Sequence, residues 1–287
     1  MPTQQKIAGI LGAYDDLIEN NARRIAIVTA MARAIHREWF IRLHLPGHGK
    51  TKASGRDRAQ LPEGWQRRPV QDLLAGHIGG GWGKDSPDTR HTMPAFVIRG
   101  TDIPGARHTD VSQCPFRYHT ESNVTPRRLT TGDIILEVSG GGKDQAVGRS
   151  VLVTAELLRA FSGDVICASF CKRISPNAAV IHPAILAQHI DEMYDSGRVQ
   201  EYQVQSTGIK NFKFAVFLEK ELVVVPPLKL QERYAEIVEP LIAEVGVLGA
   251  KNTTLAKARD YLLSRFMSGD HDVADMDVRG EADGGRN

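Results

Sequence analysis

Apolar residues recur along the first forty positions at alternating spacings of four and three: Ile7, Leu11, Tyr14, Ile18, Ile25, Val28, Ala32, Ile35 and Trp39, with Asn21 the only polar member. A period of about 3.5 residues sustained over several heptads predicts a supercoiled helix. At about 1.5 Å per residue, the segment makes a rod of roughly 50 Å. Such a seam cannot stay in water without a partner, and the other end of the chain supplies one. Tyr234, Val238, Leu241, Val245, Leu248, Asn252, Leu255, Arg259, Leu262 and Phe266 repeat the first series at a constant offset of 227 positions. Both copies end on a bulky aromatic, both carry one seam asparagine, and both follow a proline and a glutamine (Pro2 and Gln4; Pro226, Pro227 and Gln231). The chain therefore contains an internal repeat of one long helix. Asn21 and Asn252 would fix its register if they meet across the seam. Pro240 predicts a kink, or a short separate first turn, in the second copy.

Between the helices the pattern changes. Residues 45–60 form a linker rich in Gly, Lys and Arg, and 61–225 carry short β-type runs punctuated by Gly, Pro, Asp and Ser. Strands are expected over Ala95–Arg99, Asp133–Val138, Ser150–Thr154, Val165–Phe170 and Glu221–Val225, with a helix over Pro183–Ser196. The expected fold is α+β: a globular, mostly-β head on a long antiparallel two-helix coiled-coil stalk, since both helices must meet the head. The divisions are helix 1–44, linker 45–60, head 61–225, helix 226–268 and tail 269–287.

Composition adds little until charge is resolved along the chain. The 287 residues are 41% hydrophobic and 24% charged, ordinary for a globular protein. The net charge of +2 conceals an acidic end: Asp270, Asp272, Asp275, Asp277, Glu281 and Asp283 against two arginines leave 270–287 at −4 and the remainder at +6. That tail offers no apolar pattern to bury and reads as disordered. A modestly basic body permits a polyanionic partner without requiring one. Three cysteines, Cys114, Cys167 and Cys171, form no paired framework and point to a reducing cytoplasm. Cys167 and Cys171 with His182 and His189 make a tempting zinc set, but the thiols fall in an apolar run that reads as core. No apolar run approaches the roughly 18 residues of a membrane span, and the N-terminus is unlike a signal peptide.

Several stretches together resemble one family, the specificity subunits of type I restriction–modification systems. The first helix, with Asp15, Asp16, Ile18 and Asn21 and its Trp39-Phe40 ending, is similar to that family's spacer helix. Leu61–Trp65 (LPEGW) resembles the lead-in to a target-recognition domain. Leu129–Arg149 resembles its Gly-Asp-Ile-Leu strand and Ser-Gly loop, and Gln205–Gln231 its closing turn, last strand and Pro-Pro-Leu-x-x-Gln. The resemblance spans nearly all of residues 2–270. Members run recognition domain, spacer, recognition domain, spacer, whereas this sequence holds spacer, one recognition domain, spacer. The resemblance therefore implies a truncated or split form that reads one half of a bipartite DNA target. The second head would come from a homodimer or from a complementary half subunit.

The resemblance further implies a non-catalytic, cytoplasmic DNA-binding protein whose partners are double-stranded DNA, a type I methyltransferase subunit and a type I restriction (motor-nuclease) subunit. S-adenosylmethionine, ATP and magnesium would belong to those partners, and no cofactor or metal to this chain. A 50 Å rod spans on the order of fifteen base pairs at about 3.4 Å each. Candidate DNA contacts are Lys84 and Lys143 on Gly-rich loops, where backbone amides approach phosphates, with Arg90, Arg99, Arg149, Lys210, Asn211 and Lys213. Trp82 is a stacking or wedge residue, or a packed loop anchor.

Rival chemistries find weak footing. GHGKT at Gly47–Thr51 lacks the first glycine of a phosphate loop, His44 standing there, and SGGGKD has Glu137 and Asp144 at the required positions. Asp133 and Glu137 on one strand would suit a nuclease with a helical dimerisation stalk, or a methyltransferase. A coiled-coil interaction protein or inactive decoy that occupies the methyltransferase without reading DNA is the remaining alternative.

Overall fold

The computed structural model describes residues 2–45, 61–140, 145–206 and 209–268. The expected linker, apart from its first residue, and the acidic tail lie outside these, as does Lys143. Helix α1 spans Pro2–His36. The head follows, with strands β1 (Gln66–Pro69), β2 (Leu74–Gly79), β3 (Met93–Ile98), β4 (Phe116–His119), β5 (Ile134–Glu137), β6 (Ser139–Gly140), β7 (Ser150–Leu152), β8 (Val165–Cys167), β9 (Cys171–Pro176), β10 (Gln203–Ser206), β11 (Ile209–Phe212) and β12 (Leu222–Val225). Its helices are α2 (Ile103–Ala106), α3 (Glu121–Val124), α4 (Ala155–Arg159), α5 (Pro183–Asp195) and α6 (Phe214–Lys220), and α7 (Leu228–Ser268) closes the order.

The two long helices run antiparallel along the expected seam. Asn21 meets Asn252 at 2.9 Å, Arg24 meets Glu244 at 2.7 Å and Asp15 meets Arg259 at 2.6 Å, so positions ascend on one helix as they descend on the other. Ile25, Val28, Val245 and Leu248 form the dry centre of the seam. Toward the far end Ile7, Leu11, Tyr14, Leu255, Leu262 and Phe266 remain only half-buried, because none of the described head residues covers them there. Ile18, Ile35 and Leu241 are likewise partly covered.

Two expectations about these helices need correction. Pro240 does not separate a first turn: α7 is one 41-residue helix through it. Pro240 is exposed, so its ring and missing N–H fall on the solvent side. The first helix does not continue regularly to residue 44 either; a wide π-turn, Arg37–Ile41, follows His36 and brings the consecutive Trp39 and Phe40 both into the interior.

The head is built of small sheets. Strands β2-β9-β5-β7 and β10-β11-β6 are antiparallel, β12 pairs with β1, and β3 lies between antiparallel β4 and parallel β8. Each expected strand and the expected α5 are present, but seven short strands and α6 carried no usable alternation in the sequence. The main core runs from this head into the stalk. Tyr234 is fully buried, with ring centroids 4.8 Å from Phe40 and 5.7 Å from Trp39, and Phe40 lies 5.9 Å from Trp65. Gln231 completes the root: its side-chain oxygen accepts from His182 N at 2.7 Å, and its amide donates to the carbonyls of Val180 (3.0 Å) and Pro226 (2.9 Å). Thr109 adds a second tie, donating to Gly246 O at 2.8 Å. Gly246 and Gly249 carry no Cβ where Glu156 and the His108 backbone press on α7.

Candidate nucleic-acid interface

The candidate contact residues separate into an exposed group and a group whose cations are spent on partners within the head, the latter including the partly exposed Arg99. On the loop after β2, Lys84 is exposed and its Nζ donates to Asp88 at 2.6 Å. Asp88 also accepts from the backbone N–H of Arg90 and His91 and from the His91 ring. The Lys84 hydrogen bond, with these others, holds the Asp88 carboxyl well below the usual range. Asp88 thus organises the loop and leaves the Arg90 side chain exposed. Asn211 on β11 is exposed and accepts from Ser139 Oγ at 2.8 Å, and Lys213 is exposed just beyond that strand.

Three candidates are structural in their placement. Arg149 is buried and forks onto Glu137 at 2.6 and 2.9 Å, so its guanidinium is spent inside the head. Lys210 is buried, its Nζ donating to Gln145 O at 3.0 Å. Arg99 lies at the start of a short turn and donates to both Asp102 carboxylate oxygens and to Gln113 O.

The acids that invited a nuclease reading are equally engaged. Asp133 is buried and accepts from Arg173 at 2.9 Å, Ser175 at 2.6 Å and Thr130 at 2.7 and 3.0 Å. Glu137 is the partner of Arg149. Every oxygen of the pair faces a donor, so the two carboxylates clamp β5 to its neighbours and have no open coordination toward solvent. Cys167 and Cys171 are buried, and burial raises both thiols, Cys167 to about 12. His182 caps α5, and His189 Nε2 donates to the Glu221 carboxylate at 2.7 Å, so the imagined zinc set is dispersed over separate roles.

Backbone hydrogen bonds link the loop of Lys84 to the strand of Asn211 along one edge of the head. Gly81 N bonds Cys167 O at 2.9 Å and Gly80 N bonds Cys171 O at 3.0 Å, which seats the Lys84 loop on the β8–β9 turn. The Phe170 carbonyl in that turn accepts from Val138 N and Ser139 N, and β6 carries Ser139 to Asn211. Sequence reasoning missed two members of this edge. Arg117, from the four-residue β4, is buried beneath Trp82 with its guanidinium 4.4 Å from the ring and paired to Asp85. Phe170 is 63% exposed. Neither stands out in the sequence: β4 is too short to show a period, and an isolated Phe after an apolar run reads as core.

No protein-family model matches the chain. A curated relative, the type I restriction enzyme MjaIX specificity subunit of Methanocaldococcus jannaschii, is 22% identical over 95% of this chain, which spans 60% of the relative's length. The solved S subunit of a type I restriction-modification system from M. genitalium superposes with a TM-score of 0.54 at 14% identity, over 92% of this chain and 60% of that one. The HsdS subunit from Thermoanaerobacter tengcongensis aligns over 93% of this chain and 57% of its own, with a TM-score of 0.44 and 14% identity. One sheet-rich head rooted between two repeated antiparallel helices, together with the relative matched along nearly the whole chain, makes this protein a homologue of the type I restriction enzyme specificity subunits.

Proposed function

We propose that the chain is a non-catalytic, cytoplasmic DNA-reading subunit whose head recognises one half of a bipartite duplex site. The head reads through the edge bearing Lys84, Arg90, Asn211 and Lys213, with Lys143 from the neighbouring Gly-rich stretch as a fifth contact. Arg99, Arg149 and Lys210 act behind that edge by holding its framework. Methylation and cleavage belong to partner methyltransferase and restriction subunits that dock on the stalk and the head's flank, and S-adenosylmethionine, ATP and magnesium belong to those partners.

The observation that carries this reading is the repeat within the stalk. At the rooted end, Gln231, Tyr234 and Trp39 fasten the helices to the head. The 227-residue offset places Gln4, Ile7 and Phe266 in the equivalent positions at the far end, where Gln4 is exposed and Ile7 and Phe266 are half-covered. Nearby Leu263 and Met267 are 43% and 81% exposed. A stalk with the same fastening pattern at both ends suits two heads held a fixed distance apart. A second copy or a complementary half subunit is one source of such a second head.

Purified protein tests this by equilibrium binding to random-sequence duplexes at graded salt, followed by sequencing of the bound fraction. Affinity falling linearly in log salt, with enrichment of a short sequence block, supports the proposal. A decoy that occupies only the methyltransferase would enrich no sequence, and a stand-alone nuclease would cut the duplex with magnesium alone.

A further inference from the structure

The β8–β9 turn combines a rigid backbone with a bare aromatic side chain. Cys171 N closes the turn onto Ala168 O at 2.8 Å, and the Phe170 carbonyl accepts from Val138 N at 2.9 Å and Ser139 N at 3.2 Å. Gly81 and Gly80 grip Cys167 O and Cys171 O from the other side. A Cβ on Gly80 would collide with the Ala168 backbone, so the two loops are in direct contact. The Phe170 ring nevertheless gains little from folding, being 63% exposed.

Trp82, on the adjoining loop, repeats the arrangement. It is 42% exposed and lies over the Arg117 guanidinium, which is itself buried and held by Asp85 and the Gly83 carbonyl. Lys84 follows Trp82 on its loop, Ser139 N bonds the Phe170 carbonyl, Ser139 Oγ donates to Asn211, and Lys172, next in β9, sets its ammonium 4.8 Å from the Phe214 ring. The nearby carboxylates, Asp85 and Asp88, are matched by Arg117 and Lys84. Flat aromatic faces on a fixed frame, set among cations and amide or hydroxyl groups, fit nucleobases better than an apolar protein surface.

We propose that Phe170 packs against an opened base step of the half-site, with Trp82 as its flanking support. Part of the head's specificity is then the ease with which that step unstacks, rather than hydrogen bonds to base edges. This rests on the DNA-reading function proposed above.

The test uses the duplex that the wild-type chain enriches from a random pool, carrying 2-aminopurine at successive positions, with the variants Phe170→Ala and Phe170→Trp. Phe170→Ala is expected to weaken binding to the enriched duplex about tenfold. It should leave affinity for an unselected duplex and the salt slope unchanged, and abolish the 2-aminopurine fluorescence rise seen with wild type. Phe170→Trp should retain affinity and the rise. Phe170→Ala binding within twofold of wild type overturns the proposal, as does an equal loss on both duplexes. A loss of methyltransferase-subunit binding with unchanged DNA binding overturns it in favour of a protein contact. Failure of the wild-type chain to enrich any sequence instead removes the DNA-reading function itself.

Discussion

The side-chain amide of Asn21 donates to Asn252 Oδ1 at 2.9 Å across the stalk, and Asn252 donates in turn to the carbonyl of Ile18 at 3.1 Å. Two amides facing each other in an otherwise apolar seam are satisfied in only one axial alignment of the helices. A slide by one turn would bury both without partners, at a cost of about 1–3 kcal/mol each. The pair therefore specifies register at the expense of stability.

Replacing both asparagines by leucine should raise the melting temperature and loosen that specification. Asn252→Leu alone should lower stability by about 1–2 kcal/mol, since Asn21 loses its acceptor. Chemical denaturation measures the first effect. Cysteine crosslinking between the Asp15 and Arg259 positions, whose side chains pair at 2.6 Å, measures the second through the appearance of shifted products.

Gln231 joins the helix to the head through three hydrogen bonds while almost fully buried. Gln231→Leu leaves the His182 amide and two carbonyls unpaired, and should destabilise by about 2–4 kcal/mol. Gln4→Leu, at the equivalent but exposed position, should leave monomer stability unchanged and weaken association with a second head. Differential scanning calorimetry and analytical ultracentrifugation separate the two outcomes.

Acid should loosen the junction of stalk and head in two stages. Burial, with the charges of His189 and Arg37, lowers the His36 pKa to about 3. Glu221 is pushed up by burial, but hydrogen bonds from His189 and Tyr202 and the charge of Arg198 outweigh that and bring it to about 2. Both folded values lie below their unfolded ones, so each contribution is complete above the unfolded pKa and is lost as pH falls. His36 loses stability from about pH 6.5 downward, at up to about 1.4 kcal/mol per pH unit, and Glu221 adds its loss below about pH 4.5. Thermal unfolding of His36→Phe against pH should lack the upper stage and retain the lower one.

Salt dependence distinguishes the exposed cations from the internal ones. Lys84→Ala and Lys213→Ala should each leave the melting temperature within a degree or two and reduce the slope of log affinity against log salt by about 0.9. Arg149→Met strands the buried Glu137 carboxylate and should destabilise by about 3–5 kcal/mol. Its duplex affinity, measured well below the melting point, should keep the wild-type slope.

The stalk was legible because a heptad seam is a long-range pattern that local accidents do not erase; Ile7 through Trp39 and Tyr234 through Phe266 each carry it over ten seam positions. Part of what carried the family resemblance proves to be the fastening: Trp39, Phe40 and Trp65 meet at the root around Tyr234, and Gln231 ties the same helix to the head. The candidate interface was less legible. Arg149 and Lys84 are both cations near glycines, and only tertiary structure reveals that Glu137 consumes the first. Phe170 looked like the end of a buried strand because burial depends on the turn closed by Cys171 N, which no local periodicity encodes.

In the proposed function this head directs a modification machinery to one half of a gapped site. Co-expression with a type I methyltransferase subunit, followed by genome-wide mapping of N6-methyladenine, tests it most directly. Methylation is expected at a motif of two short blocks separated by a fixed gap, palindromic if the second head is a second copy and asymmetric if it is another chain, and lost when Lys84 and Lys213 are both changed to alanine. Methylation without a gapped motif, or none above the level of the methyltransferase subunit alone, would contradict it.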